Sequence, residues 1–410
     1  MVSGGLPPEG PVRSGDGPGG HRPGGGAGTA GPEVLVILDG ASEPLDGARS
    51  TSLERATMPV LDALARSGTL SRVRTVPVGL PPGSEVAIPM LLGWTPTAPV
   101  DRGAIEAAAH GIDVPLGTRA WRVDVLGDDE GRRADPGTVR RAALALRVGA
   151  PAHAVHPLAG HRLLLVGAAP LPDAAQAPYL HVWPDGVAVP RTLDATTVVI
   201  AARGAGAGVA TLLGARVVVP GGATGDPATD LHAKATAAAV ALAAGARHVV
   251  VHVGGADEAA HARDAAGKVA FLQRADRELL APLAVAVGRA SGTLRVCPDH
   301  GCDPATGAHD AEPVPCVTWT ASRADADATG EREPRRLTER AVAALAVIDL
   351  AAGRWPSGPS PDRDGPLGGA AGRWPSGPSP DRDGPPGGAA GRWPSGPSPD
   401  RNGPPRGVSA

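Results

Sequence analysis

Aromatic side chains are nearly missing from this sequence. They make up 2% of 410 residues, with one Phe and one Tyr, so a core has to be built from Ala, Val and Leu. Lysine is as scarce: Lys234 and Lys268 stand alone in a chain that otherwise uses arginine. Three cysteines, Cys297, Cys302 and Cys316, form no CxxC pair and no disulfide framework, which fits a reduced, cytoplasmic setting. No run of about 18 apolar residues occurs, so no membrane-spanning helix and no membrane partner is expected. The first 31 residues lack the apolar stretch of a secretory signal. A net charge of −3 gives no general electrostatic pull on nucleic acid.

What is abundant is glycine, 58 residues, and proline, 45, and both crowd toward the two ends. Residues 1–31 are expected to be a disordered extension. Residues 351–410 contain three near-copies of a 19-residue unit that opens Ala-Ala-Gly-Arg-Trp-Pro-Ser. Each copy has one large apolar residue (Trp355, Trp374, Trp393), which cannot bury a core, so a disordered tail is expected. Between the ends, strong strand signals occupy 32–96 and 216–350, expected to form one core. The weaker pattern of 97–215 is expected to form an inserted small α+β domain.

Three apolar runs lead to an aspartate. Glu33–Leu38 runs into Asp39-Gly40, the run 247–253 is followed by Asp257, and Thr293–Cys297 is followed by Asp299-His300. Continuous apolar runs of this length read as buried parallel strands. Parallel strands present their C-terminal ends on one edge, where ligands of open α/β sheets bind. Three carboxylates thus converge, joined by His261, His300 and, on a loop, His309. Carboxylates crowded together repel unless a cation lies among them. Mixed Asp and His donors suit Mn²⁺, Zn²⁺ or Fe²⁺ better than Mg²⁺. Asp39 alone also fits a turn before glycine.

Helices are expected over about 57–66, 105–109, 230–243, 267–287 and 337–350, and a further strand over 314–319. Before the segment Val86–Leu92, the run Pro81-Pro82-Gly83 halts the chain and delivers Ser84. Ser84 either caps a helix or is a nucleophile placed where a helix N-terminus favours phosphate. Two metal ions beside it would clamp the attacking and leaving oxygens of a displacement at phosphorus.

The ordered motifs Leu-Asp-Gly (38–40), Pro-Pro-Gly-Ser (81–84), Pro-Gly-Gly-Ala-Thr-Gly (220–225), Thr-Asp-Leu-His-Ala-Lys-Ala (229–235), Val-His-Val-x-x-x-Asp-Glu-Ala-x-His (251–261), Asp-His-Gly (299–301) and His-Asp-Ala-Glu-Pro-Val-Pro (309–315) resemble the cofactor-independent phosphoglycerate mutases, archaeal-type branch, of the alkaline phosphatase superfamily. The resemblance spans about 33–350. It implies an α/β fold: a mostly parallel, doubly wound sheet of alkaline-phosphatase-like type with an inserted α+β cap. It implies two divalent ions, Mn²⁺ first, with Mg²⁺, Zn²⁺ or Co²⁺ as alternatives. Asp39, Ser84, Asp299 and His300 would hold one, and Asp257, His261 and His309 the other. Ser84 would become phosphoserine while 3-phosphoglycerate and 2-phosphoglycerate interconvert without 2,3-bisphosphoglycerate. Lys234 matches a family lysine near the phosphate, and Arg102, Arg162 and Arg203 match substrate-binding arginines.

The sequence departs from the family pattern in three places. Ile88 stands where the family has a histidine, Pro89 is expected to interrupt the helix after Ser84, and no Asp-Pro-His-type stretch is found near 171–178. Asp124 is a guess for the general acid/base. Two other readings stay open: a metal-dependent phosphatase or phosphotransferase on another small phosphoester or phosphonate, and a non-catalytic paralogue working through its tail. Oligomeric state is not legible.

Overall fold

Glu33–Leu38 (β1) has five of its six residues fully buried, as a central parallel strand requires. Because side chains alternate, Val34, Val36 and Leu38 join the apolar core on one face of the sheet and Leu35 and Ile37 the core on the other. The computed structural model describes residues 31–127, 134–321 and 335–350. The expected N-terminal extension, up to residue 30, and the repeat tail lie outside them.

After β1 come α1 (Ser52–Arg55), α2 (Pro59–Ser67) and β2 (Thr69–Arg74). Pro59 opens α2, where its missing N–H costs nothing, and Gly68 ends it. Next are α3 (Ser84–Leu91) and α4 (Arg102–His110). A smaller unit follows: β3 (Arg119–Val125), α5 (Pro136–Gly149), β4 (Ala154–Pro157), β5 (Arg162–Gly167) and β6 (Leu180–Val182). Its four strands make an antiparallel sheet in the order β4-β5-β3-β6. The chain then returns through β7 (Thr197–Ile200), α6 (Ala205–Leu213), β8 (Arg216–Val218), α7 (Leu231–Ala243), β9 (His248–Val253) and α8 (Gly255–His261). One helical stretch, α9 (Ala265–Ala275) and α10 (Ala281–Arg289), is joined by a π turn just before Pro282, a residue with no N–H to offer the α ladder. Last come β10 (Thr293–Cys297), the hairpin β11 (Gly301–Cys302) and β12 (His309–Asp310), β13 (Val314–Thr320), α11 (Glu339–Val342) and β14 (Val347–Asp349).

Among the described residues the main sheet has eight strands in the order β14-β2-β13-β10-β1-β9-β7-β8. β1 pairs in parallel with both β9 and β10, and β13 alone runs against its neighbours. Helices cover both faces. The expected α/β class with a mostly parallel, doubly wound sheet and a smaller α+β unit describes this molecule.

Four details differ from the sequence reading. The small unit is narrower than 97–215, because β7 is wholly buried and pairs with β9 inside the main sheet. Ile105 and Ala109 of α4 likewise belong to the main core beside Val209 and Leu213 of α6. The expected helix 337–350 is four residues of helix and then an edge strand, since Val347–Asp349 pairs with Arg72–Arg74. Pro89 does not interrupt α3. All eight residues of that helix are buried, and the packing tolerates the loss of one hydrogen bond. The helix expected over 105–109 is longer, starting at Arg102 with Asp101 as its cap.

Candidate active site

The carboxyl edge of the main sheet gathers the residues singled out in the sequence. Gly40 has φ 61°, a left-handed turn, and its N–H donates to Asp299 Oδ1 at 3.0 Å. A Cβ at Gly40 would stand 2.6 Å from Asp257 Oδ1. The Asp-Gly pair therefore lets three carboxylates, from β1, α8 and the segment after β10, approach one another.

Ser84 is the first residue of α3, but its side chain does not cap the helix: Gly83 is the N-cap and makes no side-chain bond. Ser84 Oγ instead lies 3.3 Å from Asp39 Oδ1 and 3.4 Å from His300 Nε2. His300 Nε2 is also 3.4 Å from Asp39 and 3.5 Å from Asp299. The second group sits on α8 and β12. Asp257 and His261 are four apart on one helix face, with Oδ2 to Nε2 at 3.3 Å. His309 reaches them from the hairpin, 3.2 Å from Asp257 and 2.9 Å from His261 Nε2.

Electrostatics separate the two groups. Burial, with Asp299 and Asp257 close by, pushes the Asp39 carboxyl well above the usual carboxylate range. Burial also works against ionised Asp257, but hydrogen bonds from His261 and His309 outweigh it and hold that carboxyl well below the range. Asp299 Oδ2 is buried and accepts no hydrogen bond. A buried carboxylate oxygen without a donor, crowded by two more carboxylates, is the arrangement a cation would satisfy. Among the described residues, two groups have donor atoms close enough to share an ion: Asp39, Asp299 and His300, and Asp257, His261, Cys302 and His309.

Opposite these groups is a wall of cations. A cavity of about 440 Å³ opens between the metal-type groups and the small sheet, lined by Arg102, Arg162, Arg203 and Lys234 among others. Each arginine is tethered. Arg102 donates to Glu85 Oε2 at 3.0 Å, Arg162 to Glu258 Oε1 at 3.2 Å, and Arg203 to the Ala109 carbonyl at 3.1 Å. Lys234 is fully buried on α7, donates to the His252 carbonyl at 3.0 Å, and burial lowers its ammonium to about 8.

Several further site residues have no role in the sequence reading. His252, inside β9, places Nε2 3.0 Å from Asp39 Oδ2, and burial lowers it to about 4, so it stays neutral and orients the carboxylate. Arg122 holds Asp124 through two bonds of 2.9 Å and Glu106 through one of 3.2 Å. Trp183 donates Nε1 to Asp124 at 2.8 Å, and the Arg102 and Arg122 guanidinium groups stand over its ring at 4.7 and 5.0 Å. Burial opposes ionisation of Asp124, but bonding from His161, Arg122 and Trp183 holds it far below the carboxylate range. Asp124 is therefore a fixed anion, unsuited to the general acid role guessed for it. Period-two alternation was the available clue: Arg122 and Asp124 share one face of β3.

Paired Asp/His groups at the carboxyl edge of a mostly parallel α/β sheet make a site of the kind metalloenzymes use. A family model described as the Metalloenzyme superfamily matches residues 31–349. The 2,3-bisphosphoglycerate-independent phosphoglycerate mutase of Methanopyrus kandleri is 30% identical over 375 residues, 70% of this chain and 88% of that one. A like-named enzyme of Archaeoglobus fulgidus is 29% identical over 370 residues, with the same 70% and 88%. A solved protein of Pyrococcus horikoshii matches with TM-score 0.62 and 22% identity, over 79% of this chain and 95% of that one, which speaks for the fold. The chain belongs to the Metalloenzyme superfamily and, within it, to the 2,3-bisphosphoglycerate-independent phosphoglycerate mutases of archaeal type, and it is an enzyme of the isomerase class. No helix among the described residues is long and apolar enough to cross a membrane.

Proposed function

We propose that this enzyme interconverts 3-phosphoglycerate and 2-phosphoglycerate through a phosphoserine at Ser84, without 2,3-bisphosphoglycerate, at a site for two divalent ions. The observation that carries the reading is the placement of Ser84 Oγ, turned away from capping and toward Asp39 and His300, at the floor of an arginine-walled cavity. Asp39, Ser84, Asp299 and His300 would hold one ion and Asp257, His261 and His309 the other. Bound there, a divalent pair, with Mn²⁺ as the first expectation, supplies charge neutralisation around the transferring phosphoryl group and eases loss of the Ser84 proton.

The chain's own residues do the rest. Ser84 Oγ gives up its proton and attacks phosphorus as the bond to the C3 oxygen of glycerate breaks, and that oxygen takes up a proton to become the C3 hydroxyl. Lys234, a cation near the phosphoryl position, balances its charge. Arg102, Arg162 and Arg203 hold the glycerate carboxylate and keep the freed molecule in place while it turns. The C2 hydroxyl then attacks phosphorus, the Ser84–phosphorus bond breaks, and Ser84 recovers its proton. His161 lines the cavity with Nε2 3.7 Å from Asp124. Placed beside the Asp124 carboxylate and facing the cavity, His161 would move the hydroxyl proton.

The test is incubation with 3-phosphoglycerate and Mn²⁺, following 2-phosphoglycerate and free phosphate together. Formation of 2-phosphoglycerate supports the mutase. The lack of an Asp-Pro-His-type stretch near 171–178 favours a second reading, a phosphatase or phosphotransferase on another small phosphoester. Free phosphate without 2-phosphoglycerate would establish hydrolysis in place of the mutase. The cytoplasm is the setting that three unpaired, buried cysteines suit.

A further inference from the structure

We propose that Cys302 supplies a sulfur donor to the ion held by Asp257, His261 and His309, so that the two metal positions select different ions. The position with Cys302 takes a thiophilic ion such as Zn²⁺ or Co²⁺. The position with Asp39, Asp299 and His300 takes a harder one such as Mn²⁺. The inference rests on the two-metal reading above and changes its expected metal content.

The backbone aims this thiol. Cys302 pairs with His309 across the two-stranded hairpin, in antiparallel register. Directly opposed residues of such a pair project their side chains to the same face, with Cβ atoms about 5 Å apart. His309 points to Asp257 and His261, and Cys302 therefore does too. Its sulfur and one donor atom from each of those three residues lie within 4.8 Å of one another.

The rest of Cys302 is fixed. Its N–H donates to the Ser42 carbonyl at 2.9 Å, and its own carbonyl accepts from Lys268 Nζ at 2.6 Å. Lys268, fully buried, is anchored by Glu43 at 3.1 Å. One of the two lysines in the chain thus serves to hold the strand that presents the thiol. Cys297 and Cys316 are packed in the apolar core and belong to neither donor group.

Chemistry then separates the positions. One sulfur, two imidazoles and one carboxylate are four donors of the types zinc takes. Thiolate favours Zn²⁺ over Mn²⁺, whereas a set with two carboxylates and a hydroxyl suits Mn²⁺. On binding, the Cys302 S–H bond breaks, its electron pair goes to the ion and its proton to solvent.

The experiment is a Co²⁺ titration of the full chain after metal removal by chelation, read by absorbance and by total bound cobalt. Wild type is expected to show a near-ultraviolet sulfur-to-cobalt charge-transfer band that saturates with one equivalent. Cys302→Ser is expected to lose the band and keep its fold, checked by circular dichroism. Cys316→Ala is expected to keep both. Cobalt bound at two per chain with no such band, or with a band that survives Cys302→Ser, overturns the assignment of Cys302 and leaves the two-metal reading standing. No cobalt bound in wild type overturns both.

Discussion

The Nε2 atoms of His261 and His309 face each other at 2.9 Å. Asp257 touches both rings, at 3.3 and 3.2 Å. Two imidazole nitrogens so placed need either a proton or a cation between their lone pairs. Removal of divalent ions by chelation should therefore abolish activity and lower the thermal midpoint. His309→Ala should lose one of the two bound ions and reduce kcat by about 10³-fold, since such ions contribute several kcal/mol at phosphorus. Elemental analysis of the dialysed variant checks the first part and steady-state kinetics the second.

Ser84→Ala separates a nucleophile from a capping residue. Gly83, not Ser84, occupies the N-cap, so the thermal midpoint should move by no more than a few degrees. Activity should fall by about 10⁴-fold or more. Mass spectrometry of acid-quenched wild type should find phosphate on Ser84, and the same peptide in the variant should carry none.

Arg162→Ala should weaken the hold on glycerate. A lost charge-assisted hydrogen bond is worth about 1.5–3 kcal/mol, a rise in KM of roughly 10- to 100-fold. Glycerate freed too early would leave phosphoserine to water, so free phosphate should rise relative to 2-phosphoglycerate. Simultaneous assay of the two products reads this ratio.

Burial lowers the Lys234 ammonium to about 8. Its cationic form is the useful one beside a phosphoryl group, and that form disappears as pH rises through 8. The pH profile of kcat/KM should therefore fall on the alkaline side. Lys234→Arg, which stays charged, should lose that limb while retaining part of its activity at pH 7.

A carboxyl group remote from the chemistry should govern stability. Burial raises Glu339 from 4.5 to about 7, where it accepts from Thr51 Oγ1 at 2.7 Å and the Glu43 N–H at 2.9 Å. The folded state binds the proton more tightly, so the contribution is full below pH 4.5 and is lost as pH climbs through 7. The window is worth on the order of 3 kcal/mol. Glu339→Gln should gain on wild type in thermal midpoint between pH 5 and pH 8, measured by melting curves at both.

The sequence made the sheet edge readable because three long apolar runs carry their aspartates just past their ends. Ser84 was visible for a related reason, as Pro-Pro-Gly leaves little else for the chain to do there. The apolar run Thr197–Ile200 reads as part of the inserted unit because its pairing with β9 has no local signature, and Val347–Asp349 reads as the end of a helix because it gains its strand character from β2. His252 stands in the 251–261 motif without a role, because a histidine inside an apolar strand gives no local sign of what it faces. The pairing of Arg162 with Glu258, 96 positions away, has no local signature at all. Cys302 belongs to no CxxC pair, and only the hairpin sets it opposite His309.

The cavity wall has a consequence for selectivity. Three of its arginines are already paired with acids: Glu85 holds Arg102, Glu258 holds Arg162, and Asp124 with Glu106 holds Arg122. Entry of an anion is then an exchange of partners, not a capture by an open positive field. A small single anion offers a guanidinium less than the carboxylate it already has, and leaves the pairs closed. A molecule with phosphate at one end and carboxylate at the other can engage several cations in one step. At Arg102, Arg122 and Arg162 a solitary anion would therefore have to compete with the protein's own acids.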